Sequence, residues 1–170
     1  MLLHFQNVIA AALPSENTLG ARLATLDARD WAGVAEHFSA LLPEFGAVIA
    51  LPSATHLAPV LGQARGVPVL QATLEASSGC WTLLGPVQAV TDNVVVISEQ
   101  LTDGVAELEV LLLAAVQHLT VTAVVVGVER SPAGGRTRLE LQGVTVWSAV
   151  QLAQTPKGWV LERRRLSAER

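Results

Sequence analysis

Two stretches combine small, hydroxyl and acidic residues directly after short apolar runs. Ser53-Ala54-Thr55 follows Ala47–Leu51. Ser98-Glu99 follows Val94–Ile97, and Thr102-Asp103-Gly104-Val105-Ala106 lies just beyond, where a helix is expected to start. Such turns suit anion binding, because free backbone N–H groups and the helix dipole both favour negative charge. Ser98–Ala106 therefore reads as a phosphate or nucleotide pocket. The plainer alternative is a strand–turn–helix in which Thr102 or Asp103 caps the helix and no ligand binds. Glu99 reads either as a ligand or metal contact or as a solvated loop acid. Ser53 and Thr55 read either as anion contacts or, for Ser53, as a simple N-cap.

Other reactive side chains form no constellation. His4, His37, His56 and His118 fall on separate elements without metal-ligand spacing, and no metal site is expected. His56 alone lies near the expected cleft. Cys80, beside Ser77 and Ser78, has no base partner in the sequence. Arg130 and Arg136, the latter after Gly134-Gly135, are candidates to reach a ligand at the cleft mouth. Arg163-Arg164-Arg165 reads as a solvated run rather than a nucleic-acid contact.

The elements that must position these residues alternate in type. Helices are expected at 2–12, 29–42, 55–65 and 105–118, with Leu108, Leu112, Ala115 and Leu119 of the last on one stripe. The continuous apolar runs 47–51 and 94–97 read as strands buried on both faces, and 67–70, 123–128 and 144–150 as further strands. Residues 72–90 read as irregular or as a weak hairpin around Trp81–Leu84. Trp159–Glu162 reads as an antiparallel return after the Thr155–Gly158 turn. The fold class is α/β: a doubly wound, mostly parallel five-stranded sheet with a C-terminal antiparallel hairpin. Strand order 2-1-3-4-5 puts the topological switch between 47–51 and 94–97, where ligands sit in such sheets. The expected organisation is a helix and connector over 1–27, a core over 28–152, and a hairpin with polar tail over 153–170.

Composition narrows the function classes. The 170 residues are 51% apolar and 15% charged, which excludes disorder and permits a full core. The apolar run Val110–Val116 is too short to span a membrane. The net charge of −4 gives no nucleic-acid footprint. One cysteine excludes an internal disulfide framework and fits a reducing, cytoplasmic setting.

Phe45–Leu70, Asn93–Ala106, Val121–Val128, Gly134-Gly135-Arg136 and Gly143–Trp147 together resemble the type I phosphoribosyltransferase family, nearest to its adenine and xanthine members. The resemblance covers about residues 28–150 and rests on order and spacing more than on any one string. It implies phosphoribosyl diphosphate or a purine nucleotide as ligand, Mg²⁺ if the protein is active, and a homodimer. It assigns Glu99 to the ribose as the catalytic acid, with Ser98 in the place of a second acid. Thr102, Asp103, Gly104, Val105 and Ala106 take the 5′-phosphate turn, and Ser53, Ala54 and Thr55 take the pyrophosphate loop. The sequence departs from the family at several of these places. One acid of the pair is Ser98, Asp103 brings a negative charge into the phosphate turn, and residues 72–92 hold no Lys or Arg. The expected function is a divergent relative with a phosphoribosyl or purine-nucleotide cleft and weak or lost transfer. The alternatives are an active purine-type transferase and a non-catalytic interaction module that keeps the fold. An Asp103 side chain folded into its own turn favours the last.

Overall fold

The computed structural model describes residues 2–90 and 93–162. The chain runs α1 (Leu2–Ala12), α2 (Glu16–Thr25), α3 (Ala28–Leu41), β1 (Ala47–Ala50), α4 (Leu57–Arg65), β2 (Val69–Leu74) and β3 (Trp81–Leu84). It continues with β4 (Asn93–Leu101), α5 (Val105–Val116), β5 (Thr120–Arg130), α6 (Gly135–Glu140), β6 (Thr145–Thr155) and β7 (Gly158–Leu161). The seven strands form one sheet in the order β3-β2-β1-β4-β5-β6-β7. The five central strands are parallel, and β3 and β7 close the edges as antiparallel partners. The parallel order is the expected one, with the switch between β1 and β4, where Ala50 pairs with Ile97.

Helices cover both faces, so the central strands read as unbroken apolar runs. Phe5, Ile9, Trp31, Phe38 and Leu61 of α1, α3 and α4 pack on Val48, Val95, Ile97 and Val125. Val110, Ala114 and Leu139 of α5 and α6 pack on Ile49, Val94, Val96 and Val124 of the opposite face. Asp27 and Asp30 form a capping box that starts α3.

Several elements differ from expectation. The segment after Pro14 is not a plain connector: the Ser15 hydroxyl accepts from the Thr18 amide and starts α2. Residues 72–74 extend β2 and pair with β3, so the weak hairpin is a regular sheet edge. A short helix that was not expected, α6, begins at Gly135. Ser98 to Leu101 lie inside β4 rather than in an exit loop. The parallel neighbour β5 reaches Arg130 and keeps pairing them. The α5 stripe faces outward in part: Leu112 and Ala115 are exposed, while Glu107, Val110, Leu111 and Ala114 are buried. Arg163–Arg165 and the polar tail lie outside the described residues.

Gly127 of β5 marks a tight place beneath the cleft. A Cβ there would lie 2.5 Å from the Trp31 ring and 2.8 Å from the Glu99 carbonyl oxygen. Gly127→Ala is expected to cost about 1–3 kcal/mol by overpacking. The check is a urea melt, in which the midpoint falls while the far-ultraviolet spectrum of the folded protein is retained.

Candidate functional site

The ends of β1 and β4 lie side by side, so the two loops picked out from the sequence meet. After Leu51 the chain turns, with the Ala54 amide donating to the Leu51 carbonyl at 2.9 Å, and enters α4 at Leu57. Ser53 and Thr55 are exposed and Ala54 is buried. Ser53 is not the cap of α4. The residue at the N-cap position is His56, whose side chain makes no capping bond. Glu99 does the capping from β4. Its Oε1 accepts from the His56 amide at 2.9 Å and the Leu57 amide at 3.3 Å. The Glu99 side chain is 13% exposed, and the His56 Nδ1 stands 3.6 Å from it. Glu99 is therefore not a solvated loop acid. It sits against the positive end of a helix.

The second loop is closed in a similar way. Gly104 adopts φ +74°, and Asp103 Oδ1 accepts from the Val105 amide at 3.0 Å. Asp103 thus folds into its own turn at the start of α5. The Gly135 amide donates to the Thr102 carbonyl at 3.1 Å. A side chain at Gly135 would collide with that carbonyl, so α6 clamps the turn from the β5 side. Thr102 and Val105 are exposed, and Ala106 is half-buried.

Ser98 points away from the cleft. It is 1% exposed, and its hydroxyl donates to the Gln100 carbonyl at 2.8 Å. Strand alternation puts Ser98 on the α5 face and Glu99 on the α4 face, so a ribose contact by Ser98 is inconsistent with this geometry. Beside Ser98 lies Glu107, an acid the sequence reading missed, 4% exposed in the first turn of α5. Burial pushes the Glu107 carboxyl up, and the Asp103 charge adds to this; a hydrogen bond with Ser98 opposes it. The only sequence signal was an acid three residues after Gly104 at a helix start, where acids are common.

The two candidate arginines are committed elsewhere. Arg130 pairs with Glu16 at 2.6 Å and lies over the Trp159 ring at 5.1 Å. Arg136 donates from Nε and Nη2 to Glu129 at 2.9 and 2.6 Å. Its remaining N–H groups go to Ser148, Glu140 and the Val146 carbonyl. All five guanidinium donors are thereby used. Burial raises the Glu129 carboxyl, but bonds from Arg136, Ser148 and Gln151 outweigh it and hold the group below its usual range. Among the described residues, no group of three His, Cys, Asp or Glu could hold a metal ion.

No protein-family model matches the sequence, and no curated protein matches it. Solved structures do. A phosphoribosyltransferase from Corynebacterium diphtheriae superposes with TM-score 0.69 at 18% identity, covering 89% of this chain and 97% of that one. Orotate phosphoribosyltransferase from Mycobacterium tuberculosis, solved with 5-phospho-α-D-ribosyl 1-diphosphate, gives 0.66 at 20%, covering 88% and 87%. Adenine phosphoribosyltransferase from Thermoanaerobacter pseudethanolicus gives 0.63 at 16%, covering 74% and 82%. The fold is that of the type I phosphoribosyltransferases. The phosphoribosyltransferase resemblance assigns the 5′-phosphate to the Thr102–Ala106 turn and the pyrophosphate to Ser53–Thr55. In this chain Asp103 accepts from the Val105 amide within the first of these, and Glu99 accepts from the His56 and Leu57 amides directly after the second.

Two outcomes follow from the buried acids. Arg136→Ala strands Glu129 without its counter-charge and is expected to cost about 3–5 kcal/mol, read from chemical denaturation. Glu107→Gln is expected to stabilise. A carboxyl whose folded pKa is raised destabilises the fold above that pKa and ceases to do so below the unfolded value, 4.5. The gain in Tm is therefore present at pH 7.5 and fades as the pH falls toward 4.5. A gain independent of pH would contradict the assignment.

Proposed function

We propose that this protein is a non-catalytic member of the phosphoribosyltransferase fold, with its cleft closed to phosphoribosyl diphosphate and its role carried by its surface. One observation carries the reading: the Glu99 and Asp103 carboxylates occupy backbone amides at the two helix starts that the fold would turn toward phosphate. A phosphate entering the Thr102–Ala106 turn meets Asp103. Two like unit charges at about 4 Å repel by about 4 kcal/mol at an effective dielectric of about 20. Glu99 Oε1 already accepts from two amides, and Ser98 is buried. These residues do not fit a magnesium–pyrophosphate site. No Lys or Arg lies within residues 72–92 to close over developing charge. The single cysteine, Cys80, fits a cytoplasmic setting.

A second reading, a nucleotide-binding or weakly active purine-type enzyme, is favoured by the turn itself. Thr102 and Gly104 keep the backbone of an anion-binding turn, with Gly104 at φ +74°. The two readings separate in a thermal-melt titration with phosphoribosyl diphosphate and Mg²⁺, and in parallel with purine nucleoside monophosphates. A ligand at 100 times its Kd stabilises by about 2.7 kcal/mol. The expected result is no shift with either ligand and no pyrophosphate release with purine bases. A saturating shift that Gly104→Glu abolishes would overturn the closed-cleft reading.

A further inference from the structure

We infer that the outer edge of β6, from Thr145 to Val150, takes an extended segment of a partner protein in which basic and apolar side chains alternate. β6 stands two strands from β4 in the sheet, and the inference does not depend on whether the cleft binds a ligand.

The two sides of β6 are unequally paired. On its inner side β5 pairs with it from Thr145 to Leu152. On its outer side β7 pairs only with Leu152 to Thr155. The Glu162 amide adds one further bond, to the Gln151 carbonyl at 2.8 Å. Among the described residues, no strand pairs on the outer side with Thr145–Val150. Such a gap of six residues is about 20 Å long. Two side chains reach backbone carbonyls of this stretch without closing it. Arg136 Nη1 donates to the Val146 carbonyl at 2.7 Å, and Gln6 Nε2 donates to the Ala149 carbonyl at 3.5 Å. A carbonyl with one such donor keeps a second lone pair. An unpaired edge is a template for another backbone.

Two grooves flank the gap, and their linings set the chemistry of the partner. The one toward α6 has a volume of about 480 Å³, with Arg136, Glu140, Ser148, Gln151 and Glu162 among its walls. Arg136 is spent on Glu129 at 2.6 Å and on Glu140 at 3.1 Å. Glu140 and Glu162 are exposed, so this groove carries an excess of negative charge. The one toward α1 has a volume of about 490 Å³, with Leu3, Gln6, Val150 and Leu161 among its walls and no Lys, Arg or His. α1 and α6 pack on opposite faces of the sheet. Successive side chains of a strand also point to opposite faces. A strand added to β6 therefore sets one side chain beside Glu140 and Glu162, and the next beside Leu3, Val150 and Leu161. The first position selects lysine or arginine by charge, and the second selects an aliphatic residue. In such additions main-chain bonds supply affinity and the pockets for alternate side chains supply specificity. The net charge of −4 favours the approach of a basic partner.

Fluorescence anisotropy on the full chain, at about 0.15 M salt to screen diffuse attraction, tests this. The probe is a fluorescein-labelled heptapeptide of alternating arginine and leucine. The expected result is a saturating rise that an alternating glutamate and leucine peptide does not give. The basic peptide methylated on every backbone nitrogen is expected not to bind, since it cannot donate to the edge. Glu140→Gln/Glu162→Gln, at two exposed positions, is expected to weaken binding about tenfold or more with little change in Tm. A basic peptide that does not bind the full chain overturns the inference, and an edge covered by residues 163–170 or by a second copy gives that result. Binding that survives backbone methylation overturns it, because charge alone then holds the peptide. So does binding that the double substitution leaves unchanged.

Discussion

Every parallel α/β sheet of this kind leaves unsatisfied amides where a helix starts after a strand. At the crossover between β1 and β4 two such starts stand side by side; each needs an acceptor, and the helix dipole favours a negative one. In this chain the negative groups are internal. Glu99 reaches from β4 across to the first amides of α4, and Asp103 turns back onto the first amide of α5. Much of the surrounding architecture serves that arrangement. Gly127 lets Trp31 press against the sheet beneath Glu99. Gly104 supplies the left-handed backbone of the α5 start, and the Gly135 amide pins the Thr102 carbonyl from α6.

The cations follow the same pattern of internal satisfaction. Arg130 stands at the end of β5, close enough to the cleft to have been a candidate for ligand contact. It is held by Glu16 of α2 and by the Trp159 ring of β7. The Pro14 carbonyl accepts from the Trp159 amide at 3.0 Å. The N-terminal helices and the C-terminal hairpin are thereby fastened together at the strand ends. Arg136 spends its whole guanidinium on Glu129, Glu140, Ser148 and a carbonyl. Neither arginine is left to meet a phosphate. The exposed large apolar side chains include Val105, Leu112 and Val116 of α5 and Leu141.

The sheet was legible because its parallel strands carry short Val- and Ala-rich stretches, unbroken at 47–51 and 94–97. Each of the five such runs became a strand, in the order that the alternation with helices implies. The edges were less legible. β3 alternates only weakly, and residues 72–74 became strand through pairing with it, which a local pattern does not encode. Both short helices, α2 and α6, escaped because ten and six residues give too little periodicity, although Ser15 carried a cap signal for the first. At the site, the loops and their meeting point could be read from topology. The role of Asp103 as a cap was among the readings left open. That of Glu99 was not, because its amides are about forty residues away in sequence and only the pairing of β1 with β4 brings them near. Ser98 and Glu107 were misjudged or missed for a related reason: alternation along β4 decides which face each side chain takes, and the strand runs four residues further than its apolar core. The outward stripe of α5 looked like any core stripe, since a sequence pattern cannot tell which of two apolar faces meets the sheet.

Carboxylates of this chain hold the His56, Leu57 and Val105 amides, where a phosphorylated ligand would otherwise accept from them. The most direct measurement follows those three backbone resonances in a ¹⁵N–¹H correlation spectrum. Glu99→Gln is predicted to move the His56 and Leu57 peaks and leave Val105 in place, and Asp103→Asn is predicted to move Val105. Millimolar phosphoribosyl diphosphate with Mg²⁺ is predicted to move none of them in the unsubstituted protein. Saturating movement of all three on adding that ligand would contradict the claim and return the cleft to nucleotide chemistry.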